Sequence, residues 1–333
     1  MTKISVCIPV FNSEKTLRKA LDSVVLQDFP DWEIVLVNDG SKGKDEKGRN
    51  AKKIAKAFVK ENRLARGRVR YLEHRTNLGL LEARRTAVEA ALGEYIVILD
   101  SDDALCPGAL KVFYDEAVKT GADIVRGRCR LVCIEDGSLI QDNPLICDYD
   151  PAVKILPSSE NRGVFDSFLV RKEQTGYLWA KMYKKSVYQR ALLHIPFTRC
   201  VLAEDFLQYF FISLEAKSLV SLEDTVYDYS VGTGMSTGTT IDELSKWEQI
   251  CTTANVFTVI FAVLEQEEIA LSEEETEALK LVSRSYLADS LIGLEKKVSE
   301  EIKAPARAML CEYWGEDFVE IMEKAVRLDR TAD

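Results

Sequence analysis

Short apolar runs alternate with helix-spaced apolar positions over the first 125 residues of the chain. Runs at 4–10, 33–37, 69–72, 95–99 and 123–125 have the length and the β-branched or aromatic content of strands. Between them, apolar residues recur every three or four positions, as in amphipathic helices, at 17–25, 54–58, 80–91 and 110–118. This alternation predicts an α/β fold with a mostly parallel central sheet flanked by helices.

The second part of the chain has a weaker pattern. Helices are predicted at 159–169, 181–191 and 204–214, and strands at 218–222 and 225–229, while residues 130–170 otherwise show no clean period. From Ile241 onward the pattern is helical, with a break expected at Pro305. These changes predict a catalytic domain at 1–236 and an α-helical C-terminal extension at 237–333.

Composition and charge narrow the class of protein. The 333 residues are 47% hydrophobic and 29% charged, which is typical of a globular chain with room for two domains. The formal net charge is −10; the 21 acidic and 10 basic residues after Thr240 contribute −11, so residues 1–240 carry +1. Neither part is basic enough for a nucleic-acid-binding protein, and no nucleic-acid partner is expected.

Cysteine spacing and hydrophobicity predict the compartment. The eight cysteines contain no C-x-x-C pair, so neither a zinc site nor a disulfide framework is expected. The longest uncharged run, at 249–264, has 16 residues, and a membrane span needs about 20. The N-terminus lacks a secretory apolar region. We expect a cytoplasmic protein with reduced thiols that is not polytopic, and leave peripheral contact with the inner face of the membrane open.

An acidic cluster, Asp100-Ser101-Asp102-Asp103, follows the fully apolar run at 95–99. Three carboxylates within four residues repel one another unless a cation lies between them. Mn²⁺ or Mg²⁺, held by one or two carboxylates and by substrate phosphates, fits this pattern. The alternative is a structural role in which Asp102 or Asp103 caps a helix that begins near Pro107.

Three other carboxylates are candidates for chemistry. Asp39 follows the run at 33–37 and is an acceptor suited to a nucleobase N–H or a ribose hydroxyl, although Asp-Gly is also common in plain turns. Glu204 and Asp205 open an aromatic-rich helix, where they complement the helix dipole or, alternatively, supply a general base. The two histidines show no Ser-His-Asp arrangement.

Several short strings carry a family resemblance. In chain order they are Ile8-Pro9-Val10-Phe11-Asn12, Val37-Asn38-Asp39-Gly40-Ser41, Asn77-Leu78-Gly79, Ala83-Arg84, and Gly93-Glu94-Tyr95 continuing to Asp103. Trp179-Ala180-Lys181-Met182-Tyr183-Lys184-Lys185 and Glu204-Asp205 follow later. Over roughly residues 3–236 this combination resembles the family 2 inverting glycosyltransferases of the GT-A fold, which transfer sugars from nucleoside diphosphates.

The resemblance implies a role for each matching residue. Pro9 and Phe11 would wall the base pocket, Asp39 would contact the base, Asp100 would lie near the ribose, and Asp102 would hold Mn²⁺ or Mg²⁺ against the diphosphate. Arg84 would offer a cation to the phosphates or the sugar, and Trp179 and Lys181 would lie near the acceptor or the phosphates. Asn12, Ser101 and Glu204 complete the substrate-binding set, and Asp205 would be the catalytic base.

The chain departs from the family pattern in two places. The usual Ala-Arg-Asn is Ala83-Arg84-Arg85 here, and the stretch 227–236 lacks a His that the family often has, so no third protein ligand to the metal is identified. The backbone amides of Gly232-Thr233-Gly234 are a candidate phosphate contact instead. A haloacid-dehalogenase-type phosphotransferase, a nucleotidyltransferase and a non-catalytic nucleotide-sugar-binding module are the rival classes.

The favoured reading is a metal-dependent inverting glycosyltransferase. It would move a hexosyl or N-acetylhexosaminyl group from a UDP-linked donor to a hydroxyl of a carbohydrate or lipid-linked glycan, in the synthesis of cell-surface polysaccharide or glycoconjugate. The acidic extension would serve homodimer contact, acceptor binding or a membrane-associated partner.

Overall fold

The computed structural model describes residues 2–133, 138–140, 154–155, 162–232 and 240–329. By its contacts the chain divides into two compact units. The first unit comprises residues 1–194 and 208–234, and the second unit comprises residues 195–207 and 235–333. The phosphate contact predicted at Thr233 and Gly234, and the first residues of the helix predicted at 159–169, lie outside the described residues.

The first unit is built on one mixed sheet. Its strands are β1 (Ile4–Val10), β2 (Trp32–Asn38), β3 (Val69–Glu73), β4 (Tyr95–Ile98), β5 (Ala104–Leu105), β6 (Ile124–Cys133), β7 (Lys154–Ile155), β8 (Lys181–Lys184) and β9 (Leu219–Val231). They lie in the order β3-β2-β1-β4-β8-β6-β9-β5, and β7 pairs with β9. Because β1 is parallel to both β2 and β4, the carboxyl ends of these three strands share one edge.

The central strands are covered by helices. The helices are α1 (Leu17–Val25), α2 (Ala51–Glu61), α3 (Leu80–Ala90), α4 (Ala109–Thr120), α5 (Gly163–Leu169), α6 (Lys185–His194) and α7 (Glu204–Glu215), of which α7 begins in the second unit. Every residue of β1 and β2 is buried, as expected of strands packed on both faces. The predicted GT-A-like α/β fold with a central sheet and flanking helices is confirmed.

Two local predictions are wrong. Residues 181–184 were expected to be helical, but they form β8, antiparallel to both β4 and β6, and α6 begins only at Lys185. Backbone hydrogen bonds to two neighbouring strands and the burial of Met182 and Tyr183 override the local helical pattern. The strands predicted at 218–222 and 225–229 are one strand, β9, whose pairing with β6 is irregular near Arg128.

The second unit is helical, as predicted. Beyond residue 240 its helices are α8 (Leu244–Cys251), α9 (Thr253–Gln266), α10 (Glu273–Lys296), α11 (Glu300–Trp314) and α12 (Glu316–Asp329). Trp247 lies in its core and donates its indole N–H to the Ala306 carbonyl at 2.8 Å. The break expected at Pro305 is wrong: α11 runs through it, and the burial of Ala306 and Leu310 in the turns that follow offsets the cost of the proline.

One segment of the described chain, Leu244–Gln266, is long and apolar enough to cross a membrane by length and composition. The mean hydropathy of its best window is 1.3, and 56% of that window is buried within the protein. The segment consists of α8 and α9, which meet at Thr252. A core helix of a soluble domain meets the same criterion, so the segment is weak evidence for membrane insertion.

Candidate active site

Asp39 follows the carboxyl end of β2, and its buried side chain accepts three hydrogen bonds. Its Oδ1 accepts from Nδ1 of His74 at 2.7 Å and from the backbone N–H of Leu78 at 2.9 Å. Its Oδ2 accepts from the backbone N–H of Gly79 at 2.9 Å. These donors fix the carboxylate at the edge of the sheet, so a ligand meets an acceptor that is already oriented.

His74 was not identified from the sequence as a site residue. Because a carboxylate oxygen is an acceptor, Nδ1 of His74 is assigned as the donor to Asp39, and Nε2 lies 2.9 Å from the Thr86 hydroxyl. The backbone N–H of His74 also donates to the Asn38 carbonyl at 2.9 Å. The signal in the sequence is positional: His74 directly follows β3, and the pairing of β3 with β2 places it beside Asp39.

The acidic cluster after β4 is held by side chains from α3 and β9. Arg84, whose side chain is buried in α3, donates to Oδ1 of Asp100 at 3.1 Å. Asp103 accepts from the backbone N–H of Ser230 at 2.7 Å and from the Tyr227 hydroxyl at 2.8 Å. The same hydroxyl accepts from the backbone N–H of Asp100 at 3.2 Å. Burial, and then the negative charges of Asp100 and Asp102, raise the pKa of Asp103 well above its usual value.

The cluster does not have the helix-capping role that was the structural alternative. The residue before α4 is Gly108, and no side chain caps that helix. Asp103 is instead committed to Tyr227 and Ser230, whereas Asp102 is half-buried. The three carboxylates therefore occupy different environments, and Asp103 is structural.

The remaining carboxylates fit a cation that arrives with a diphosphate. The oxygens of Asp100 and Asp102 are the hard ligands that Mg²⁺ and Mn²⁺ prefer. Over the described parts of the chain, no three acidic, histidine or cysteine side chains are grouped so that they would enclose a metal ion. A cation here would take most of its ligands from phosphate and water, which is how magnesium is commonly held at substrate phosphates.

Polar groups join the ends of β1, β2 and β4. Asn12 has a left-handed backbone, with φ of 55°, and donates its N–H to the Ser41 hydroxyl at 2.9 Å. The hydroxyls of Ser13 and Ser101 lie 2.5 Å apart. Polar residues that follow β1, β2 and β4 thus lie together at one edge of the sheet.

Phe11 and Pro9 differ in their exposure. The Phe11 side chain, just past the end of β1, is 49% exposed. Pro9 is buried within β1 and pairs with Val37 of β2. Of the two residues predicted to wall a base pocket, Phe11 is therefore the one whose ring is open to a ligand.

Trp179 and Lys181 lie in the protein interior. Trp179 is 5% exposed, and its ring stacks on Tyr177 and on Tyr227 at centroid distances of 4.9 and 5.3 Å. Lys181 is 3% exposed and donates its ammonium group to the backbone carbonyls of Thr175, at 3.2 Å, and Tyr177. These contacts are with protein groups, and the predicted direct contact of both residues with acceptor or phosphate stays a prediction.

Glu204 and Asp205 lie in the first turn of α7, within the second unit. Glu204 is buried and Asp205 is half-buried. Ala203, just before them, has a left-handed backbone with φ of 62°, and Ala180 shares this conformation with φ of 54°. A left-handed backbone conformation at a residue other than glycine costs about 1–3 kcal/mol of stability, and such residues cluster at functional sites. The general-base role of Asp205 stays a prediction.

Two of the buried thiols have raised pKa values. The seven cysteines in the described chain form no disulfide, and burial raises the pKa of Cys106 to about 12. Burial likewise raises the pKa of Cys251 to about 12. Neither of these two groups is a thiolate near neutral pH.

The profile described as "Glycosyl transferase family 2" matches residues 5–173, which is just over half of the chain. The chain belongs to glycosyl transferase family 2. This assignment confirms the resemblance seen in the sequence. Membership of this family also accounts for the position of the acidic cluster, which follows the fourth strand. In a haloacid-dehalogenase-type phosphotransferase, the aspartate motif would follow the first strand.

Three curated relatives of this family 2 member match it over part of their length. Glycosyltransferase GlyA of Streptococcus pneumoniae is 28% identical over 240 residues, which are 70% of this chain and 31% of GlyA. The uncharacterized glycosyltransferase EpsJ of Bacillus subtilis is 27% identical over 196 residues, or 57% of this chain and 50% of EpsJ. The poly(ribitol-phosphate) beta-glucosyltransferase of Bacillus spizizenii is 34% identical over 132 residues, or 38% of this chain and 19% of that protein. The chain thus spans half or less of each.

Solved structures share the fold of this family 2 chain. S. aureus TarS 1–349 in complex with UDP gives a TM-score of 0.54 at 18% identity, over 97% of this chain and 92% of that one. The mannosyltransferase PcManGT from Pyrobaculum calidifontis, in complex with GDP-Man and Mn²⁺, gives 0.54 at 16% identity, over 98% and 86% of the two chains. At these identities the likeness establishes the GT-A fold and not the substrate.

Arg85, where the family pattern has Asn, has a structural role in this chain. Its guanidinium donates to the Leu192 carbonyl at 2.7 Å and pairs with Glu82 at 3.1 Å. It therefore joins α3 to the end of α6. Arg85, in place of the family's Asn, thus links two helices, and the preceding Arg84 lies beside Asp100.

Proposed function

We propose that this chain is an inverting, metal-dependent glycosyltransferase that uses a UDP-linked sugar. The observation that carries the proposal is the spatial order of polar groups along one edge of the sheet. Asp39, whose carboxylate is held by hydrogen bonds, follows β2, and Asp100 and Asp102 follow β4 beside the buried Arg84. A nucleotide sugar could lie along this edge with its base at Asp39 and its diphosphate and sugar near Asp100, Asp102 and Arg84. The nucleotide sugars bound to structures of the same fold, UDP-GlcNAc in TarS and GDP-Man in PcManGT, support the donor class.

The hydrogen bonds of Asp39 favour uracil over guanine. A carboxylate has about four acceptor positions, and His74, Leu78 and Gly79 already use three of them. The position that remains is on Oδ2, which suits the single N3–H of uracil or thymine. Guanine offers two adjacent donors, N1–H and the N2 amino group, and would need two free positions. Cytosine presents an acceptor at N3, which the carboxylate would repel, and could donate only from its N4 amino group.

The residues after β4 suit the departure of a nucleoside diphosphate. Asp102, with Asp100 beside it, would hold Mn²⁺ or Mg²⁺, and the metal supplies positive charge that neutralises the leaving diphosphate. Arg84 adds a fixed, buried cation at the same edge. Asp205 takes the proton of the acceptor hydroxyl as that oxygen attacks the anomeric carbon opposite the leaving group. A single displacement inverts the configuration of that carbon.

The acceptor is proposed to be a carbohydrate or lipid-linked glycan of the cell surface. The support is the family and the name of one relative, the poly(ribitol-phosphate) beta-glucosyltransferase of Bacillus spizizenii. Comparison of UDP-Glc with UDP-GlcNAc in the thermal-unfolding test distinguishes hexosyl from N-acetylhexosaminyl transfer. The role of the second unit in dimer or acceptor contact stays a prediction.

The proposal is tested by thermal unfolding with UDP-Glc, UDP-GlcNAc and GDP-Man, each with Mn²⁺ or with EDTA. A bound UDP-sugar at about 100 times its Kd should stabilise the protein by about 2.7 kcal/mol, and only with the metal. Asp102→Ala should remove this shift, whereas the exposed-carboxylate control Asp115→Asn should keep it. Asp205→Asn should keep the shift and lower turnover about 10²–10⁴-fold. Metal-independent donor binding would refute the assignment of Asp102.

A further inference from the structure

Three aromatic rings form a column at the β8 and β9 side of the acidic cluster. The ring of Tyr177 stacks on Trp179 with a centroid distance of 4.9 Å and an interplanar angle of 12°. Trp179 stacks on Tyr227 at 5.3 Å and 19°. Trp179 and Tyr227 are buried, whereas Tyr177 is 37% exposed. The column therefore runs from the interior to a ring at the surface.

The inner end of the column touches the acidic cluster. The Tyr227 hydroxyl accepts from the backbone N–H of Asp100 and donates to the Asp103 carboxylate. Two stacking steps thus separate Tyr177 from the residues that follow β4. Tyr229, 5.2 Å from Trp179, lies near the same charges: burial, and then Asp103, Asp100 and Asp102, raise its pKa to about 12.

The loop that carries Tyr177 is fixed at several points. Lys181 donates to the carbonyls of Thr175 and Tyr177, and its ammonium lies 4.7 Å from the ring centroid of Tyr209. The Tyr183 hydroxyl donates to the Leu178 carbonyl at 3.0 Å. A surface ring on a loop held in this way loses little conformational entropy when a ligand binds to it.

The column and the proposed base position lie on opposite sides of β4. The sheet order places β1 and β2 on one side, with Asp39 at the end of β2, and β8, β6 and β9 on the other. Because β8 is antiparallel to β4, its first residues lie at the carboxyl end of β4. Trp179 and Tyr177 precede those residues directly. A donor extending from Asp39 across β4 would therefore point its sugar towards the column.

We infer that the exposed ring of Tyr177 is a stacking surface for a pyranose ring of the acceptor glycan. A pyranose with equatorial hydroxyls has an apolar C–H face that packs on the negative face of an aromatic ring. The buried Trp179 stacks on Tyr177 and positions its ring. This inference rests on the proposed function, because it specifies the acceptor side of the same site.

The test measures sugar binding and nucleotide binding separately on the full chain. UDP with Mn²⁺ is titrated by calorimetry, and methyl β-D-glucopyranoside and methyl N-acetyl-β-D-glucosaminide are then titrated by saturation-transfer NMR with UDP and Mn²⁺ present. Ribitol, a polyol without a ring face, is the comparison ligand. The variants are Tyr177→Ala, Tyr177→Phe and Phe261→Ala, the last removing an aromatic ring of similar exposure, 42%, from α9.

Tyr177→Ala should weaken binding of at least one methyl glycoside about three- to tenfold, and Tyr177→Phe should restore it, because the ring and not the hydroxyl makes the contact. Phe261→Ala should leave it unchanged, and UDP affinity should be the same in all variants. Equal glycoside binding by wild type and Tyr177→Ala would overturn the inference. So would wild-type glycoside binding no tighter than that of ribitol.

A comparison of UDP-GlcNAc binding with UDP binding shows whether Tyr177 stacks on the donor sugar or on the acceptor sugar. If Tyr177→Ala weakens UDP-GlcNAc relative to UDP, the ring stacks on the donor sugar and the inference for the acceptor is wrong. Each of these results leaves UDP and Mn²⁺ binding intact and so leaves the proposed function standing. Failure of the wild-type protein to bind UDP with Mn²⁺ would instead defeat the proposed function, and the acceptor inference with it.

Discussion

Removing the Tyr227 hydroxyl is expected to destabilise the first unit by about 2–4 kcal/mol. The hydroxyl is buried and bridges two groups, donating to Asp103 at 2.8 Å and accepting from the Asp100 N–H at 3.2 Å. Tyr227→Phe deletes this one oxygen and keeps the ring that stacks on Trp179. The substitution therefore tests the hydrogen bonds without opening a large cavity.

The magnitude follows from the two bonds. Leaving a buried hydrogen-bonding group without its partner costs about 1–3 kcal/mol, and the substitution does this to both the Asp103 carboxyl group and the Asp100 N–H. For a unit of this size, 1 kcal/mol changes the unfolding midpoint by about 2–4 °C, so we expect a decrease of about 4–16 °C. The free energy is large because Asp103 is buried beside two other carboxylates and loses one of its two hydrogen-bond donors.

Differential scanning calorimetry is the suitable assay, since it separates transitions if the two units unfold independently. The matched control is Tyr229→Phe, which removes a hydroxyl from the neighbouring ring and should change stability by less than about 0.5 kcal/mol. A double-mutant cycle with Asp103→Asn should give a coupling free energy of about 1–3 kcal/mol. Equal stability of the two Phe variants, or a coupling near zero, would refute the bridging role of the hydroxyl.

Two further outcomes test the base site and the thiols. Asp39→Asn replaces one acceptor oxygen by an amide N–H₂ group, which would face the N–H donors of the protein or of the base. UDP affinity should therefore fall about 10–100-fold, and the preference for UDP over CDP should shrink. Unchanged nucleotide selectivity in calorimetric titrations would show that Asp39 does not contact the base. Because burial raises the pKa of Cys106 and of Cys251 to about 12, both thiols stay protonated as the pH rises from 7 to 10. Their alkylation by iodoacetamide, followed by mass spectrometry, should therefore remain at least about tenfold slower than in urea; rapid labelling of the native protein would contradict their burial.

The strands that carry the donor side could be predicted because they are buried on both faces. β1, β2 and β4 appear in the sequence as continuous apolar runs, and each is followed by a polar turn. Parallel strands place their carboxyl ends at one edge, so the meeting of Asn12, Asp39 and Asp100 followed from the order of elements alone.

The contacts that hold Asp103 and the aromatic column could not be predicted, because they join distant parts of the chain. Tyr227 and Asp103 are separated by 124 positions, and nothing near either residue indicates the other. β8 is short, with lysines at both ends, and is a strand only because β4 and β6 pair with it on either side. Local propensity is a weak guide where tertiary pairing decides the conformation. The aromatic column depends on both of these contacts and was therefore missed.

The same strand order explains why the donor and acceptor sides should respond independently to substitution. Asp39 is held by residues 74–79 and the Tyr177 loop by Lys181 and Tyr183, so the two sets of supporting contacts share no side chain. They approach each other at the end of β4, where Arg84 donates to the Asp100 side chain and the Tyr227 hydroxyl accepts from the Asp100 backbone N–H. A change at either end of this edge should therefore alter one ligand, while a change at Asp100 should alter both.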